Sequence, residues 1–242
     1  MGMIMKKLLI IKTGSTLPSL IAKKGDFEDR VLSGMGVDKD KAIIADVCNG
    51  QALPGYDEIS GVVITGSHAM VTEHPEWSEQ TADWLQKSIG KNIPILGICY
   101  GHQLLAYALG GEVGNNPKGS ELGTVSVFLN EDAQHDKLLK DLDNPLKVHV
   151  SHQQTVLRLP KHAKRLAVSN GDDCQAFVVG DYVWGLQFHP EFDREITVEY
   201  IIKRRQELIF AGKNPDDLIE ECKDTHYGTQ ILRRFTEICL LS

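Results

Sequence analysis

The sequence predicts an α/β fold in which a central, mostly parallel sheet is flanked by helices and followed by a helical C-terminal extension. Short apolar, β-branched runs alternate with helix-compatible segments in the first half of the chain, and this alternation is typical of a parallel sheet covered on both faces. Beyond about residue 195 the pattern becomes helical, and no flexible linker precedes it.

The first half of the chain supplies the predicted strands of the parallel sheet. They are the runs KLLIIK, KAIIADV, GVVITG and IPILGIC. Helices are predicted over residues 26–34, over PEWSEQTADWLQKSIG, which Pro75 opens, and over GHQLLAYALGG. Each helical stretch lies beside a strand, as expected for a layered α/β domain.

Shorter alternating segments begin near residue 120 and predict further strands. These are TVSVFL, LKVHVSH, TVLRLP and RLAVSN. The segment CQAFVVGDYVWGLQFHPE predicts a hairpin that turns at Gly180 and Asp181, because Gly-Asp between two apolar runs is a turn signal.

The C-terminal region is predicted to be helical throughout. Asn214 is the expected N-cap of one helix, with Pro215 at its first position, and a last helix is expected near 225–240. We predict a core of residues 1–195 and a helical extension, 196–242, packed on the same domain. The pattern leaves open whether the extension covers the core or forms a dimer interface, and it predicts a solvated helix face at KRRQ.

Composition limits the classes of function. The 242 residues are 42% hydrophobic and 24% charged, with a formal net charge of −7, so the charge balance gives no support for binding nucleic acid or an anionic membrane. No apolar run approaches the roughly 20 residues that span a bilayer, and LLII near the start is too short for a signal peptide.

Five cysteines without C-x-x-C spacing suggest neither a disulfide framework nor a zinc site. We expect a reduced, cytoplasmic protein that uses no cofactor.

The stretch GICYGHQ places Cys99 between Gly97 and Gly101, after a predicted strand and before a predicted helix. This G-x-C-x-G pattern parallels the nucleophile elbow, in which flanking glycines permit a sharp turn that exposes the side chain. A thiol at a helix N-terminus also gains thiolate character from the backbone dipoles. Taken alone, the motif favours a structural cysteine in an ordinary strand-to-helix turn over a nucleophile.

A nucleophilic cysteine usually requires a base and a group that orients the base. His189 lies in GLQFHPEF at the end of the predicted hairpin, and Glu191 follows two residues later. Side chains two apart in an extended segment face the same way, so the Glu191 carboxylate is placed to hold one imidazole nitrogen while the other faces Cys99.

The GICYGHQLLAYALGG segment, followed in the right order by QFHPE, resembles the class I glutamine amidotransferases, and among them the glutaminase portion of the GMP synthases. The resemblance covers roughly residues 6–195 and implies a flavodoxin-like amidotransferase fold. It also implies that Cys99 attacks the side-chain amide of glutamine, that His189 transfers the proton, and that Glu191 orients His189.

The resemblance also implies the remaining site residues. Oxyanion donors are expected at Ser67 and Tyr100; family members commonly carry Gly-Gly-Pro where this chain has Gly66-Ser67-His68. The substitution of Ser for the more permissive Gly leaves a preformed oxyanion hole in question. Substrate contacts are expected from residues that match family positions, although Gln153 and Gln154 replace the Gly-Asp of the GMP synthases: Gly66, Gln103, Ser151 and His152.

Three functions remain open at this point. The first is a glutamine amidotransferase that hydrolyses L-glutamine to glutamate and ammonia, either alone or with a separate synthetase subunit as the ammonia acceptor. The second is a γ-glutamyl peptide hydrolase that uses the same thioester chemistry, and the third is a non-catalytic regulatory protein on this fold. A closed pocket at Gln103 would favour the first function, and a trench open toward residues 67–77 would favour the second.

Overall fold

Within residues 6–241, which a computed structural model describes, the chain forms a nine-stranded mixed sheet and a separate two-stranded sheet. The strands are β1 (Lys7–Lys12), β2 (Ala42–Asp46), β3 (Ile59–Ile64), β4 (Ile95–Ile98), β5 (Glu112–Asn115), β6 (Glu121–Leu129), β7 (Leu146–His152), β8 (Gln154–Arg158), β9 (Ala163–Ser169), β10 (Ala176–Val179) and β11 (Val183–Leu186). The helices are α1 (Pro18–Lys24), α2 (Phe27–Met35), α3 (Glu76–Ser88), α4 (Tyr100–Ala108), α5 (Glu131–Gln134), α6 (Arg194–Lys203), α7 (Arg205–Phe210), α8 (Pro215–Glu221) and α9 (Tyr227–Leu240).

The large sheet has a parallel half and an antiparallel half. Its order is β2-β1-β3-β4-β11-β10-β9-β6-β7, and the pairings from β2 through to β11 are parallel. From β11 to β7 each pairing is antiparallel. The predicted α/β fold with its parallel sheet is confirmed, and the predicted hairpin is the β10–β11 pair. The small sheet pairs β5 with β8, and the sequence pattern does not predict β5.

Alternation along β1 explains why this run is a buried strand. Successive side chains of a strand point to opposite faces. Leu8 and Ile10 enter the hydrophobic cluster on one face of the sheet, whereas Leu9 and Ile11 enter the cluster on the other. Because both faces are covered, the strand is apolar without interruption, as expected for a central parallel strand.

Helix α9 belongs to the main core. Ile231, Leu232 and Phe235 are fully buried in the same cluster as Leu8 and Ile10. This part of the C-terminal extension therefore covers the sheet, and the predicted boundary at residue 195 separates segments that share a core. Among the described residues, no helix combines the length and apolar character that a membrane span requires.

The parallel half gathers the predicted site residues at one edge. Strands β1, β3, β4 and β11 run in the same direction, so their carboxyl ends lie together. Ser67 follows β3, Cys99 follows β4 and His189 follows β11. This edge is where ligand sites of open α/β sheets are expected.

Candidate active site

Cys99 lies on a strained turn between β4 and α4. Its φ of 51° and ψ of −99° fall in a region that residues other than glycine rarely occupy. The Cys99 N–H donates to the Leu186 carbonyl at 2.8 Å, and the Cys99 carbonyl accepts from the Gln103 N–H at 3.1 Å. The turn is thus held by β11 on one side and by the first turn of α4 on the other.

The two glycines of the elbow are required by close backbone contacts. A Cβ atom on Gly101 would lie 2.5 Å from the Ile64 carbonyl oxygen, and one on Gly97 would collide with the Gly101 carbonyl. Because both obstacles are backbone atoms, rotation of a side chain cannot relieve either clash. The G-x-C-x-G pattern therefore serves to bring α4 close to β3 and β4.

His189 is buried between two acidic groups. Its Nδ1 lies 2.7 Å from Glu191 Oε1, the Cys99 sulfur lies near enough to interact with its ring, and Phe192 stacks on it at 4.0 Å between ring centroids. Burial disfavours the charged imidazolium, but the Glu191 carboxylate and then the Cys99 sulfur outweigh this and raise the pKa of His189 to about 10. This arrangement keeps His189 protonated at neutral pH.

The loop after β3 has a fixed peptide orientation. The Thr65 hydroxyl lies 3.2 Å and the Thr13 hydroxyl 3.1 Å from the Gly66 carbonyl oxygen. In a trans peptide the C=O and the following N–H point in opposite directions, so the Ser67 N–H points away from these hydroxyls. Ser67 is not among the residues with positive φ, so a serine is tolerated here without strain. Ser67 also lines the cavity at Cys99.

Tyr100 is the first residue of α4, where backbone N–H groups have no acceptor within the helix. The Tyr100 hydroxyl lies 2.7 Å from Ser78 Oγ, and the Gly101 N–H donates to the Thr65 carbonyl at 3.2 Å. These contacts fix the start of α4 against the loop that carries Ser67. The assignment of the Ser67 and Tyr100 N–H groups as oxyanion donors stays a prediction.

Gln103 lines the cavity and is almost fully buried. Its Nε2 donates to the Gln154 carbonyl at 2.8 Å and to Gln187 Oε1 at 2.9 Å. These contacts tie α4 to the segment after β7. The carbonyl oxygen of Ser151, near the end of β7, lies 3.7 Å from Cys99 Sγ.

His152 lines the same cavity, but its ring nitrogens are engaged by the protein. Nδ1 lies 3.1 Å from the Gln154 carbonyl oxygen, and Nε2 lies 3.1 Å from Glu121 Oε2. The ring is therefore placed to hold the 151–154 segment in position. A direct hydrogen bond from this ring to a substrate requires one of these contacts to open.

Glu121, His152 and Asp172 have donor atoms within 4.8 Å of one another, a spacing suited to a metal ion. Existing contacts engage each of these groups, although Asp172 Oδ2 has no hydrogen-bond partner among the described residues. Asp172 Oδ1 accepts from the Thr155 hydroxyl and the Cys174 N–H, and burial raises the pKa of Asp172. We interpret the cluster as a network that fixes His152.

A cavity of about 310 Å³ opens over the thiol. One part of its wall holds Cys99, Gln103 and His189, and another part is the loop from Ser67 to Met70. A third part comes from the junction of α6 and α7 and holds Lys203, Arg204 and Glu207.

The family model for class I glutamine amidotransferases matches residues 43–206, a segment that contains the elbow and the His189–Glu191 pair. The chain belongs to this family.

Curated relatives in the family differ in their named activities. Gamma-glutamyl peptidase 4 of Arabidopsis thaliana is 30% identical over 186 residues, which cover 76% of this chain and 72% of that protein. A GMP synthase of Aeropyrum pernix is 37% identical over 176 residues, but the match covers 71% of this chain and 32% of that longer protein. A glutamine-hydrolysing GMP synthase subunit of Ignicoccus hospitalis is 43% identical over 100 residues, 40% of this chain and 50% of that protein.

Solved structures confirm the amidotransferase fold. A glutamine amidotransferase of Thermotoga maritima superimposes with a TM-score of 0.76 at 23% identity, covering 98% of this chain and 100% of that one. One from Methylobacillus flagellatus gives a TM-score of 0.74 at 19% identity, covering 97% of this chain and 95% of that one.

The candidate site includes residues that were not predicted from the sequence to be site residues. Thr13, which orients the Gly66 peptide, follows β1 at the carboxyl edge of the sheet, and that position was a detectable signal. Arg204 belongs to the KRRQ run, for which a solvated helix face was predicted. That prediction is wrong for Arg204, because its side chain is 17% exposed and lines the cavity.

Proposed function

We propose that this chain hydrolyses γ-glutamyl amide bonds through a cysteinyl thioester. The observation that carries the proposal is the elbow thiol of Cys99 beside a buried His189, whose Nδ1 lies 2.7 Å from Glu191 Oε1. The side-chain amide of L-glutamine is the simplest bond of this class.

The chemistry follows from the positions of these groups. In the proposed reaction the Cys99 sulfur adds to the γ-carbonyl carbon, and the N–H groups of Ser67 and Tyr100 stabilise the oxyanion. The C–N bond then breaks, and His189 gives its proton to the leaving amine. Water adds to the thioester with His189 as base, the C–S bond breaks, and glutamate leaves with the thiol restored.

The cavity favours a leaving group larger than ammonia. Its wall reaches the loop from Ser67 to Met70 and the α6–α7 junction, and it is not restricted to the surroundings of Gln103. This is the extended form of site that the sequence analysis associated with a γ-glutamyl peptide hydrolase. We therefore favour γ-glutamyl amino acids or short γ-glutamyl peptides as substrates, as the name of the Arabidopsis thaliana relative also suggests.

A second candidate is the supply of ammonia from glutamine to a separate synthetase subunit. The similarity to the Ignicoccus hospitalis protein, a glutamine-hydrolysing part of a GMP synthase, supports this function. Either role suits a cytoplasmic location, because the cysteines of the described chain, including Cys99, are free.

The decisive experiment compares L-glutamine and γ-glutamyl-alanine as substrates for the purified protein, with glutamate release as the measurement. We expect glutamate from both, with the dipeptide preferred, and none from Cys99→Ala. Acid quenching of the wild-type protein during turnover should trap a species that is heavier by one glutamyl group at Cys99. His189→Asn should show neither this species nor glutamate release, because His189 supplies the proton to the leaving amine.

Two outcomes count against the proposal. Equal glutamate release by Cys99→Ala removes the thioester mechanism. Hydrolysis of glutamine without hydrolysis of the dipeptide would favour the second candidate function, the supply of ammonia to a synthetase subunit.

A further inference from the structure

A second cavity adjoins the cavity over the thiol at the α6–α7 junction. It has a volume of about 490 Å³, is lined by Ser120 and Phe210, and shares Gln153, Arg204 and Glu207 with the first. The two adjoining cavities are together called the groove, and Cys99 lies at one end of it. Hydrolysis of glutamine itself leaves most of this groove without a role, since ammonia is its leaving group.

Arg204 stands where the two cavities meet, and it has a free binding edge. It lies between α6 and α7, and its Nε donates to Glu207 Oε2 at 2.9 Å. Among residues 6–241 the terminal guanidinium nitrogens of Arg204 have no hydrogen-bond partner. Glu207 thus holds the side chain through one edge and leaves the end of the guanidinium open, the geometry that grips a carboxylate through two parallel bonds.

Lys203 adds a second cation to the same wall. It lines the cavity, and within the described part of the chain it makes no ion pair. Glu207 is the carboxylate of this wall and is already paired with Arg204. The α6–α7 end of the groove therefore presents excess positive charge, which in a protein with a net charge of −7 is a local feature.

His68 connects the cationic end to the catalytic end. Its Nε2 lies 3.2 Å from the Tyr200 hydroxyl, and both residues line the first cavity. Its pKa is lowered by burial and then by the positive charges of His189 and Arg204. His189, His68, Tyr200 and Arg204 thus line one and the same cavity.

We propose that Arg204, assisted by Lys203, binds the carboxylate of the leaving group, and that the substrates are γ-glutamyl amino acids or short γ-glutamyl peptides with a free carboxyl terminus. The inference rests on the proposed hydrolysis of γ-glutamyl bonds and adds the feature by which the leaving group is recognised. In such a substrate the γ-carbonyl carbon lies at Cys99, and the released amino acid or peptide extends past His68 toward the guanidinium.

The test uses two substrates that differ only in the charge of the leaving group, γ-glutamyl-alanine and γ-glutamyl-alaninamide. We expect the wild-type protein to prefer the acid, by kcat/KM. In Arg204→Gln the acid-to-amide ratio should fall by about tenfold or more, because a charge-assisted hydrogen bond is lost for the acid alone. Arg204→Lys should recover part of the ratio. Arg205→Gln is the matched control, since Arg205 pairs with Asp216 and does not line the groove.

The outcomes separate the two proposals. An unchanged ratio in Arg204→Gln, with wild-type hydrolysis intact, overturns the carboxylate site and leaves the proposed function standing. An equal rise in KM for acid, amide and glutamine also overturns it, because Arg204 would then bind the glutamyl part that all three share. Absence of Cys99-dependent hydrolysis of any of them refutes the proposed function and this inference with it.

Discussion

At the scale of single residues, His189 is the group whose protonation state matters most for the site. It is buried between the Glu191 carboxylate and the Cys99 sulfur. These neighbours favour the imidazolium form of His189 even though burial opposes it. Glu191 is therefore expected to govern reactivity at Cys99, although it does not touch the substrate.

The pH dependence of Cys99 alkylation tests this role of Glu191. Because the pKa of His189 is raised to about 10, the imidazolium persists across neutral pH and loses its proton only near that value. The wild-type rate with iodoacetamide should therefore change little from pH 6 to pH 9. In Glu191→Gln the pKa of His189 falls, so the rate at pH 7 should be lower and should rise with pH. A flat profile in the variant would contradict the assignment.

Thr13 is a positioning residue whose effect should appear in turnover. Thr13→Val keeps the shape of the side chain but removes the hydroxyl near the Gly66 carbonyl. We expect kcat to fall about tenfold, less than the roughly 10²–10³ that loss of one oxyanion donor costs, with KM little changed. Thr81→Val is the matched control, because the Thr81 hydroxyl is also buried and donates to a carbonyl, that of Trp77. Equal losses of kcat in both variants would assign Thr13 a structural role only.

The site residues that could be predicted from the sequence are those that lie in short motifs. Cys99, His189 and Glu191 carry local signals, namely the elbow glycines and the His-Pro-Glu tripeptide. Thr13 and Arg204 carry no such motif, because their roles depend on contacts with segments far away along the chain. These contacts appear only once the sheet is assembled.

At the scale of elements, the elbow is the feature on which the site depends. The turn places Cys99 at the start of α4 and draws this helix against the ends of β3 and β4. Its geometry tolerates no side chain at either glycine. Loss of the elbow should therefore affect folding as well as reactivity.

Gly101→Ala tests the elbow. The added methyl group would meet the Ile64 carbonyl at 2.5 Å, so we expect overpacking to cost about 1–3 kcal/mol and to lower the melting temperature by several degrees. Gly55→Ala is the control, since Gly55 has a φ of −68° and its nearest neighbour is the tip of the Glu58 side chain. Similar melting temperatures for Gly101→Ala and Gly55→Ala would show that α4 has room to move.

Elements with strong local signals were predicted, and those that depend on tertiary partners were not. Strands β1 to β4 are apolar runs, and the N-cap of α8 at Asn214 is as predicted. Strand β5 (EVGN) is partly exposed and exists through its pairing with β8, so it has no apolar run to reveal it. Helix α1 has a single buried residue, Leu20, and lacks a helical hydrophobic pattern.

At the scale of the whole molecule, α9 makes the C-terminal extension part of the core. Phe235 is fully buried and its ring contacts Trp184 of β11 edge-on. Composition and pattern predicted a helix here and a shared domain, but they left open which surface the helix covers. The surface that α9 covers depends on which face of the sheet remains free after the other helices have packed.

Phe235→Ala should therefore destabilise the entire chain. Truncation of a buried aromatic ring costs about 3–5 kcal/mol, and we expect a single unfolding transition at a lower temperature, followed by differential scanning calorimetry. Leu240→Ala on the same helix is the control, because Leu240 is 79% exposed and should have little effect. A separate early transition in Phe235→Ala, with the main transition unmoved, would show that the extension is an independent unit.

The two ends of the groove come from different stretches of the chain. Cys99, His189 and Ser67 lie at strand ends of the sheet, whereas Lys203 and Arg204 lie where two late helices meet. Mutations at the helical junction are therefore expected to leave the groups proposed to break the bond in place. If the proposed function holds, such a division lets related chains acquire new leaving-group preferences through changes at a few helical positions, while the reaction itself stays the same.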